Sequence, residues 1–361
     1  MRRYRVGILG ATGLVGQSFI LLLNNHPWFE VKALMASPSS KGKRYAEAVG
    51  ERWKQDRDIP DSVRDLKLLG TDQIHQLKEE VDLVFSAVNM EKSSLIQLEE
   101  KIAGEGIPVV SNNSATRWLP DVPMVIPEIN PSHTNLIEAQ RERLKTKTGF
   151  IVVKPNCSLQ SYVPALTPLL GFGISQVFVT TYQAVSGAGR HLPDWPEMQD
   201  NVIPFISGEE EKSENEPLKI WGQVTENEVQ LAQKPKISAQ CIRVPVEVGH
   251  LAAVFVRFDR KVSEKVILDA WQNFTSQVDE LELPSAPRPF LNYFDETDRP
   301  QPKLDALGDW GMRVSIGRLR KDPIFDYKFV CLSNNLVRGA AGGSVLTAEL
   351  LVRQGWIQAG G

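Results

Sequence analysis

Gly10-Ala11-Thr12-Gly13-Leu14-Val15-Gly16 lies between an apolar hexapeptide, Tyr4 to Leu9, and an apolar run that reaches about Asn24. The hexapeptide reads as a buried strand and the run behind the glycines as a helix. Glycine permits the tight turn and close backbone approach, and the helix N-terminus offers free N–H groups to a pyrophosphate. The spacing is GxxGxxG rather than GxGxxG, so a glycine-rich turn needed only for packing is the alternative. Outward from this turn, Phe29 to Met35 reads as a second strand. Val81 to Val88 and Ile107 to Val110 are further short apolar runs, with the helix-like Lys92 to Ala103 between them. Strand, helix, strand at these lengths implies a parallel sheet with right-handed crossovers.

The end of the second strand selects the cofactor. An NAD site usually carries an acidic residue there, on the ribose hydroxyls. Here the chain runs Ala36-Ser37-Pro38-Ser39-Ser40-Lys41-Gly42-Lys43-Arg44, with three hydroxyls, three cations and no acid. That composition suits a 2′-phosphate and favours NADP(H); a solvated basic loop is the alternative.

Bulk properties exclude several classes. At 361 residues the chain exceeds what one hydrophobic core usually serves, so two domains are expected. A net charge of −3 gives no electrostatic case for nucleic acid or an anionic membrane surface. The three cysteines, Cys157, Cys241 and Cys331, are too few and too far apart for a disulfide framework or a zinc site. No metal is expected, and a reducing cytoplasm is. Met1 to Arg5 is basic, but the apolar run behind it breaks at Gly7 and Gly10, so no signal peptide is read. No apolar stretch is long enough to span a bilayer.

Glu138 to Thr148 reads as a solvated helix, and Ile151 to Val153 as the strand that delivers Pro155-Asn156-Cys157-Ser158. Strands are expected at Val177 to Ala184, Ile242 to Val248, Leu251 to Phe258 and Phe325 to Leu332. Gly208 to Lys219 reads as a helix or covering loop, Pro284 to Pro302 as an irregular surface loop, and Ser344 to Arg353 as a final helix returning to the first domain. The expected fold is α/β, a Rossmann-like N-terminal dinucleotide-binding domain followed by an α+β domain with a mostly antiparallel sheet. The boundaries are set at 1–155 with 336–361, and 156–335.

Cys157 stands at the start of an expected helix, where N–H groups and the positive dipole end favour a thiolate. A thiolate can attack a carbonyl, and the amides after Cys157 can hold the oxyanion. Cys241 and Cys331 sit in apolar strands and read as inert core residues. Arg243-Val244-Pro245-Val246-Glu247-Val248-Gly249-His250 is the second element. On a regular strand Arg243 and His250 would face opposite ways, and Gly249 suggests a bend that re-aims the imidazole. A histidine of ordinary pKa near the thiol can serve as general acid/base. An arginine can grip a substrate carboxylate with two parallel hydrogen bonds. Gln183, the turn Ser186-Gly187-Ala188-Gly189-Arg190, Arg117 and the charge run Glu209-Glu210-Glu211-Lys212 are further candidates; spacing alone assigns them no role.

At this point the chain resembles the aspartate-semialdehyde dehydrogenase family, and more closely its archaeal/fungal-type branch. The motifs run nearly end to end: GATGLVGQ from Gly10, SNNSATR to Arg117, KPNCS around Cys157, TYQAVSGAG to Gly189, GEEEK to Lys212, RVPVEVGH to His250, RPQPKLD to Asp305, and NNLVRGAAGG. The resemblance implies NADPH-dependent reductive dephosphorylation of 4-phospho-L-aspartate to L-aspartate 4-semialdehyde and phosphate. It implies Cys157 as the nucleophile that becomes an acyl-thioester and His250 as the acid/base. Gln183, Arg243 and Glu209 would bind substrate, and Arg117, Asn156 and Lys212 would bind phosphate. Gly10, Thr12, Gly13, Leu14, Val15, Ser37, Ser39, Ser40, Ser186, Gly187 and Asn335 would line the NADP site. The second domain would then be catalytic and dimerising, in a homodimer or homotetramer. Three consecutive glutamates leave the register at Glu209 open, and Arg190 departs from the often aromatic residue expected after SGAG. Malonyl-CoA reductase on the same scaffold, N-acetyl-glutamyl-phosphate reductase and a non-catalytic NADP(H) sensor are the rival expectations. Arg243 in RVPV and the GEEEK segment favour the aspartyl substrate.

Overall fold

The computed structural model describes residues 3–359. Residues 1, 2, 360 and 361, the outer ends of the expected first domain, lie outside the described residues. Six strands in chain order form the first sheet: β1 (Tyr4–Leu9), β2 (Phe29–Met35), β3 (Leu68–Leu69), β4 (Leu83–Ser86), β5 (Pro108–Ser111) and β6 (Phe150–Val153). Their spatial order is β3-β2-β1-β4-β5-β6, and every pairing is parallel. The order reverses direction beside β1, which places the glycine turn at the switch point where such sheets bind nucleotides. All four residues of each of β4, β5 and β6 are buried. That is why these strands read as continuous apolar runs rather than alternations.

Eight further strands follow: β7 (Ile174–Gln183), the short hairpin β8 (Gln223–Val224) and β9 (Val229–Gln230), β10 (Lys236–Arg243), β11 (His250–Phe258), β12 (Leu291–Phe294), β13 (Val314–Lys321) and β14 (Tyr327–Ser333). Six of them make a second sheet ordered β10-β7-β11-β14-β13-β12. Its inner pairings β7–β11, β11–β14 and β13–β14 are antiparallel, and its two outer pairings are parallel. The α/β expectation therefore holds, with a mixed and mostly antiparallel second sheet.

Three expectations need correction. The strand expected over Ile242 to Val248 ends at Arg243, and residues 244–249 form a loop. Pro245 lacks the N–H that a continuing ladder would need. The stretch Pro284 to Pro302 is not wholly irregular, because β12 lies inside it at the sheet edge. β13 was not anticipated. Its outward Arg318 and Arg320 and its Gly317 hide the alternation, and its pairing with β14 is interrupted between Gly317 and Arg320.

The helix Leu159–Leu166 joins the two halves. Every one of its residues is buried, as it lies against β11, β13 and β14 on one side and belongs to a core shared with the first sheet. Its polar Gln160 and Ser161 are bonded inside the protein, the first accepting from Arg338 at 3.1 Å and the second donating to the Ser158 carbonyl at 2.8 Å. The helix fixes the end of β6, and with it the cysteine turn, against the second sheet. The helix Gly342–Arg353 returns to pack beside β5 and the helix Leu14–Leu23, and Glu349 Oε1 meets His26 Nε2 at 2.9 Å. Among the described residues no helix is long and apolar enough to cross a membrane.

Candidate active site

Two strand-to-helix turns and two strand ends meet here. Cys157 follows β6 and keeps partial solvent exposure. Asn156 Oδ1 accepts hydrogen bonds from the Ser158 N–H at 2.8 Å and its hydroxyl at 2.7 Å, which fixes the turn. The Ser158 amide is thereby occupied, so it is not the free oxyanion donor that the sequence suggested. His250, the first residue of β11, places Nε2 3.4 Å from Cys157 Sγ. The loop 244–249 makes this possible. Gly249 has φ 108°, and a Cβ there would lie 3.1 Å from Pro302 Cβ and 3.2 Å from Ala306 Cβ. The RPQPKLD segment thus braces the bend that aims the imidazole.

The backbone N–H of Ala184 donates to His250 Nδ1 at 3.1 Å. A backbone N–H cannot accept, so in the neutral ring the proton sits on Nε2 and faces sulfur. Burial, then the neighbouring Arg243, lowers the His250 pKa to about 3. The ordinary histidine pKa expected from sequence is therefore corrected: the ring is neutral across physiological pH. The Cys157 thiol is pushed up, by burial first and by Glu209, while Lys154, Arg117 and Arg243 oppose the rise.

Glu209 is the glutamate that faces the site. Asn156 Nδ2 reaches its two oxygens at 2.9 and 3.0 Å, Gln183 Nε2 donates at 3.2 Å and Lys212 Nζ at 2.8 Å. Glu210 instead accepts from the Cys241 N–H at 3.2 Å, and Glu211 is exposed. Arg243 ends β10 and donates from one terminal nitrogen to the Ala184 carbonyl at 2.6 Å, with no carboxylate partner among the described residues. Gly187 lies so close that a Cβ there would be 2.9 Å from both the Arg243 guanidinium and the His250 ring.

Arg117 lies one layer deeper. Its guanidinium pairs with Glu216 at 2.8 Å and donates to the carbonyls of Lys154 at 3.1 Å and Asn112 at 3.4 Å. Glu216 also accepts from the Asn156 N–H at 2.7 Å. Glu216 escaped the sequence reading; its signal was the seven-residue step from Glu209, which returns to the same helix face. Lys154 and the buried pair Arg338–Glu128 were also missed. Cys241 and Cys331 are buried in β10 and β14, as inert cysteines should be.

The glycine turn adjoins this cluster. Gly10 has φ 85°, and a Cβ there would lie 2.6 Å from the Ala87 carbonyl oxygen. A Cβ at Gly16 would collide with the Gly10 oxygen. Gly13 caps the helix Leu14–Leu23 without a side-chain bond and is exposed, flanked by half-exposed Thr12, Leu14 and Val15. Open N–H groups and space that side chains would fill suit a dinucleotide pyrophosphate. At the end of β2, Ser37 and Ser39 are exposed with hydroxyls 3.0 Å apart, and Ser40 is buried. Lys41 and Arg44 meet Asp72 and Asp65, while Lys43 is exposed and unpaired among the described residues. Asn335 donates to the Ser186 hydroxyl at 2.9 Å and accepts from the Gly249 N–H at 2.8 Å. Arg190 stacks on Trp195, 4.7 Å from the ring centre. The segment Val337–Ala341 packs on the helix Leu14–Leu23 and also covers the cysteine turn, since a Cβ at Gly339 would lie 2.9 Å from Cys157 Cβ. One segment thus lies against both turns. Among the described residues no group of His, Cys, Asp and Glu is arranged to hold a metal.

Comparison with known proteins gives the same picture. The semialdehyde dehydrogenase NAD-binding domain family matches residues 5–137, and the semialdehyde dehydrogenase dimerisation domain family matches residues 166–338. An aspartate-semialdehyde dehydrogenase of Archaeoglobus fulgidus is 44% identical over 98% of this chain and 99% of its own. The Candida albicans aspartate semialdehyde dehydrogenase solved with NADP is 37% identical, covers 99% of this chain and all of its own, and has a TM-score of 0.87. The Vibrio cholerae aspartate semialdehyde dehydrogenase II solved with ASA is 25% identical, covers 98% of this chain and 99% of its own, and has a TM-score of 0.76.

Proposed function

The chain belongs to the aspartate-semialdehyde dehydrogenase family, in its archaeal/fungal-type branch, and from that premise we propose how its residues perform the reaction. The protein is an NADP-dependent oxidoreductase of aspartate-pathway biosynthesis. It converts 4-phospho-L-aspartate to L-aspartate 4-semialdehyde and phosphate, reversibly. The malonyl-CoA reductase and non-catalytic readings are not favoured by the relatives. The observation that carries the residue assignment is the 3.4 Å approach of His250 Nε2 to Cys157 Sγ beside the Glu209 and Arg243 side chains.

Arg243 receives the substrate α-carboxylate, Glu209 faces the α-amino group, and Gln183 positions the intermediate between them. Lys212, Asn156 and Arg117 provide for the phosphate; Arg117 would act from beneath, since its ion pair with Glu216 occupies one side of the guanidinium. Cys157 attacks the acyl carbon, the C–O bond to phosphate breaks, and an acyl-thioester remains on sulfur. His250 works at Nε2, where it bonds the thiolate and handles the proton of the departing group. Entry of an acyl phosphate dianion opposes the burial that keeps this ring neutral, so substrate binding itself favours the acid form. The glycine turn would hold NADPH, which would supply a hydride to the thioester carbon; the C–S bond would then break, releasing the aldehyde and returning the Cys157 thiolate. Gly10, Thr12, Gly13, Leu14 and Val15 would cradle its pyrophosphate, Ser37, Ser39 and Ser40 would meet the 2′-phosphate, and Ser186, Gly187 and Asn335 would border the nicotinamide end. A homodimer or homotetramer in the cytoplasm completes the reading.

The test is absorbance at 340 nm with L-aspartate 4-semialdehyde, phosphate and NADP. Sustained reduction that requires phosphate is expected. Equal sustained rates without phosphate, or turnover of malonyl-CoA in its place, would overturn the substrate assignment.

A further inference from the structure

The helix Glu209–Ile220 carries a buried carboxylate, that of Glu216, to which the reaction described above gives no part. Steps of three and four put Glu209, Lys212, Glu216 and Lys219 along one helix face. The opposite side is fastened to the outer edge of the second sheet. There the Glu210 carboxylate accepts from the Cys241 N–H at 3.2 Å and the Glu214 carboxylate from the Ala239 N–H at 3.0 Å, both in β10. The helix therefore holds the second sheet with one side and reaches segments that follow strands of the first sheet with the other.

Glu216 makes that reach with both oxygens. Oε1 accepts from Arg117 Nη1 at 2.8 Å, and Oε2 accepts from the Asn156 N–H at 2.7 Å. Arg117 follows β5 and Asn156 follows β6, so one carboxylate spans the segments after two neighbouring strands. Glu209, two helical turns away, takes the Asn156 side-chain amide at 2.9 and 3.0 Å. The residue before Cys157 is thus gripped twice by one helix. Lys219 Nζ steadies the other segment, donating to the carbonyls of Arg117 at 2.7 Å, Val122 at 3.1 Å and Leu119 at 3.2 Å. Three of the five Arg117 N–H groups are committed, to Glu216 and to the carbonyls of Lys154 and Asn112. Two on the terminal nitrogens remain for an anion. Glu216 decides which two, because the guanidinium is a rigid planar fork.

We propose that Glu216 is a positioning residue for the phosphate step. Its carboxylate couples the Arg117 guanidinium to the Cys157 turn through the Asn156 N–H, so the anion site and the nucleophile keep a fixed separation. The inference rests on the reading of Arg117 as a phosphate ligand. Glu216 itself touches neither phosphate nor sulfur.

The measurement is a double-mutant cycle on the phosphate concentration that half-saturates oxidation of L-aspartate 4-semialdehyde by NADP. Glu216→Gln keeps the size of the side chain but offers one acceptor oxygen to two donors. The phosphate requirement is expected to rise about tenfold or more. The phosphate-free burst of NADPH should stay within about threefold of wild type, because the Cys157 turn keeps its Glu209 and Ser158 bonds. Glu216→Asp keeps the charge but is one carbon short of spanning both donors, and it should show the same split. Arg117→Ala should also raise the requirement. In that background Glu216→Gln is expected to add less than about twofold, since an effect carried by the guanidinium has nothing left to act through. An unchanged requirement in Arg117→Ala overturns the assignment of Arg117 and this inference together. A rise in Arg117→Ala with none in either Glu216 variant, or effects that multiply in the double variant, overturns this inference alone. So does failure of both Glu216 variants to fold, which would make the carboxylate a structural element.

Discussion

The chain contains two strand-to-helix turns that share one covering segment, Val337–Ala341, and they are built in opposite ways. After β1 the turn is glycine-rich, exposed at Gly13 and capped by no side chain; the Gly10, Ala11 and Gly13 N–H groups are bonded within the fold, and those of Thr12, Leu14 and Val15 remain for a ligand. After β6 the turn is buried apart from the partly exposed Cys157, its Ser158 amide is occupied by Asn156, and charged side chains surround it. The first turn binds through shape and backbone dipoles. The second acts through one side chain whose ionisation depends on Lys154, Arg117, Arg243, Glu209 and burial together. A binding turn needs open donors, whereas a reacting turn needs a controlled field.

Substitutions should separate the two turns. Cys157→Ala and Cys157→Ser are expected to cut turnover by at least roughly 10⁴-fold while NADP affinity, read by fluorescence titration, stays near wild type. Substantial activity in both variants would erase the distinction between the turns. His250→Asn should lower the rate by roughly 10²–10⁴-fold. The same variant has a stability signature. His250 and His133, held at about 3 and about 4, stay neutral in the fold while the unfolded chain takes protons near the ordinary histidine value. Native stability is therefore full above that value and falls as pH drops from about 6.5 toward about 4 for His133 and about 3 for His250, by roughly 1.4 kcal/mol per pH unit for each such ring. Urea unfolding of His250→Asn should lose about one proton of that slope.

Glu216→Gln leaves the Arg117 guanidinium buried without its carboxylate. A loss of about 3–5 kcal/mol in urea unfolding is expected. On the other turn, Gly16→Ala puts a methyl against the Gly10 oxygen and should cost about 1–3 kcal/mol together with weaker NADP binding, read by melting with and without NADP. The smallest effect belongs to the exposed phosphate-selecting edge. Lys43→Ala should reduce preference for NADP over NAD by only a few-fold, since an exposed charge contributes about 1 kcal/mol or less.

The same contrast explains what the sequence could show. β1 and β2 appear with the bounds read from their apolar residues, whose inner halves are buried in the parallel sheet. The glycine turn was legible for a similar reason: its chemistry is local. Cys157 and His250 were legible through their neighbours, although 93 positions separate them. Lys154 and Glu216 were not. The contact from Glu216 to the Asn156 amide spans 60 residues, and the ion pair to Arg117 spans 99. No periodicity within a short window encodes such a meeting. The edge strand β12 was hidden among prolines, which edge positions tolerate. The neutral state of His250 was also unreadable, because it follows from complete burial and from the Ala184 amide across the strand end.

The account turns on a covalent bond to Cys157, and rapid quench without phosphate tests it directly. Enzyme mixed with L-aspartate 4-semialdehyde and NADP should give a burst of NADPH near one equivalent per active site, with an aspartyl mass increment located on the peptide containing Cys157. A burst with no adduct on that peptide, or an adduct on Cys241 or Cys331 instead, would contradict it.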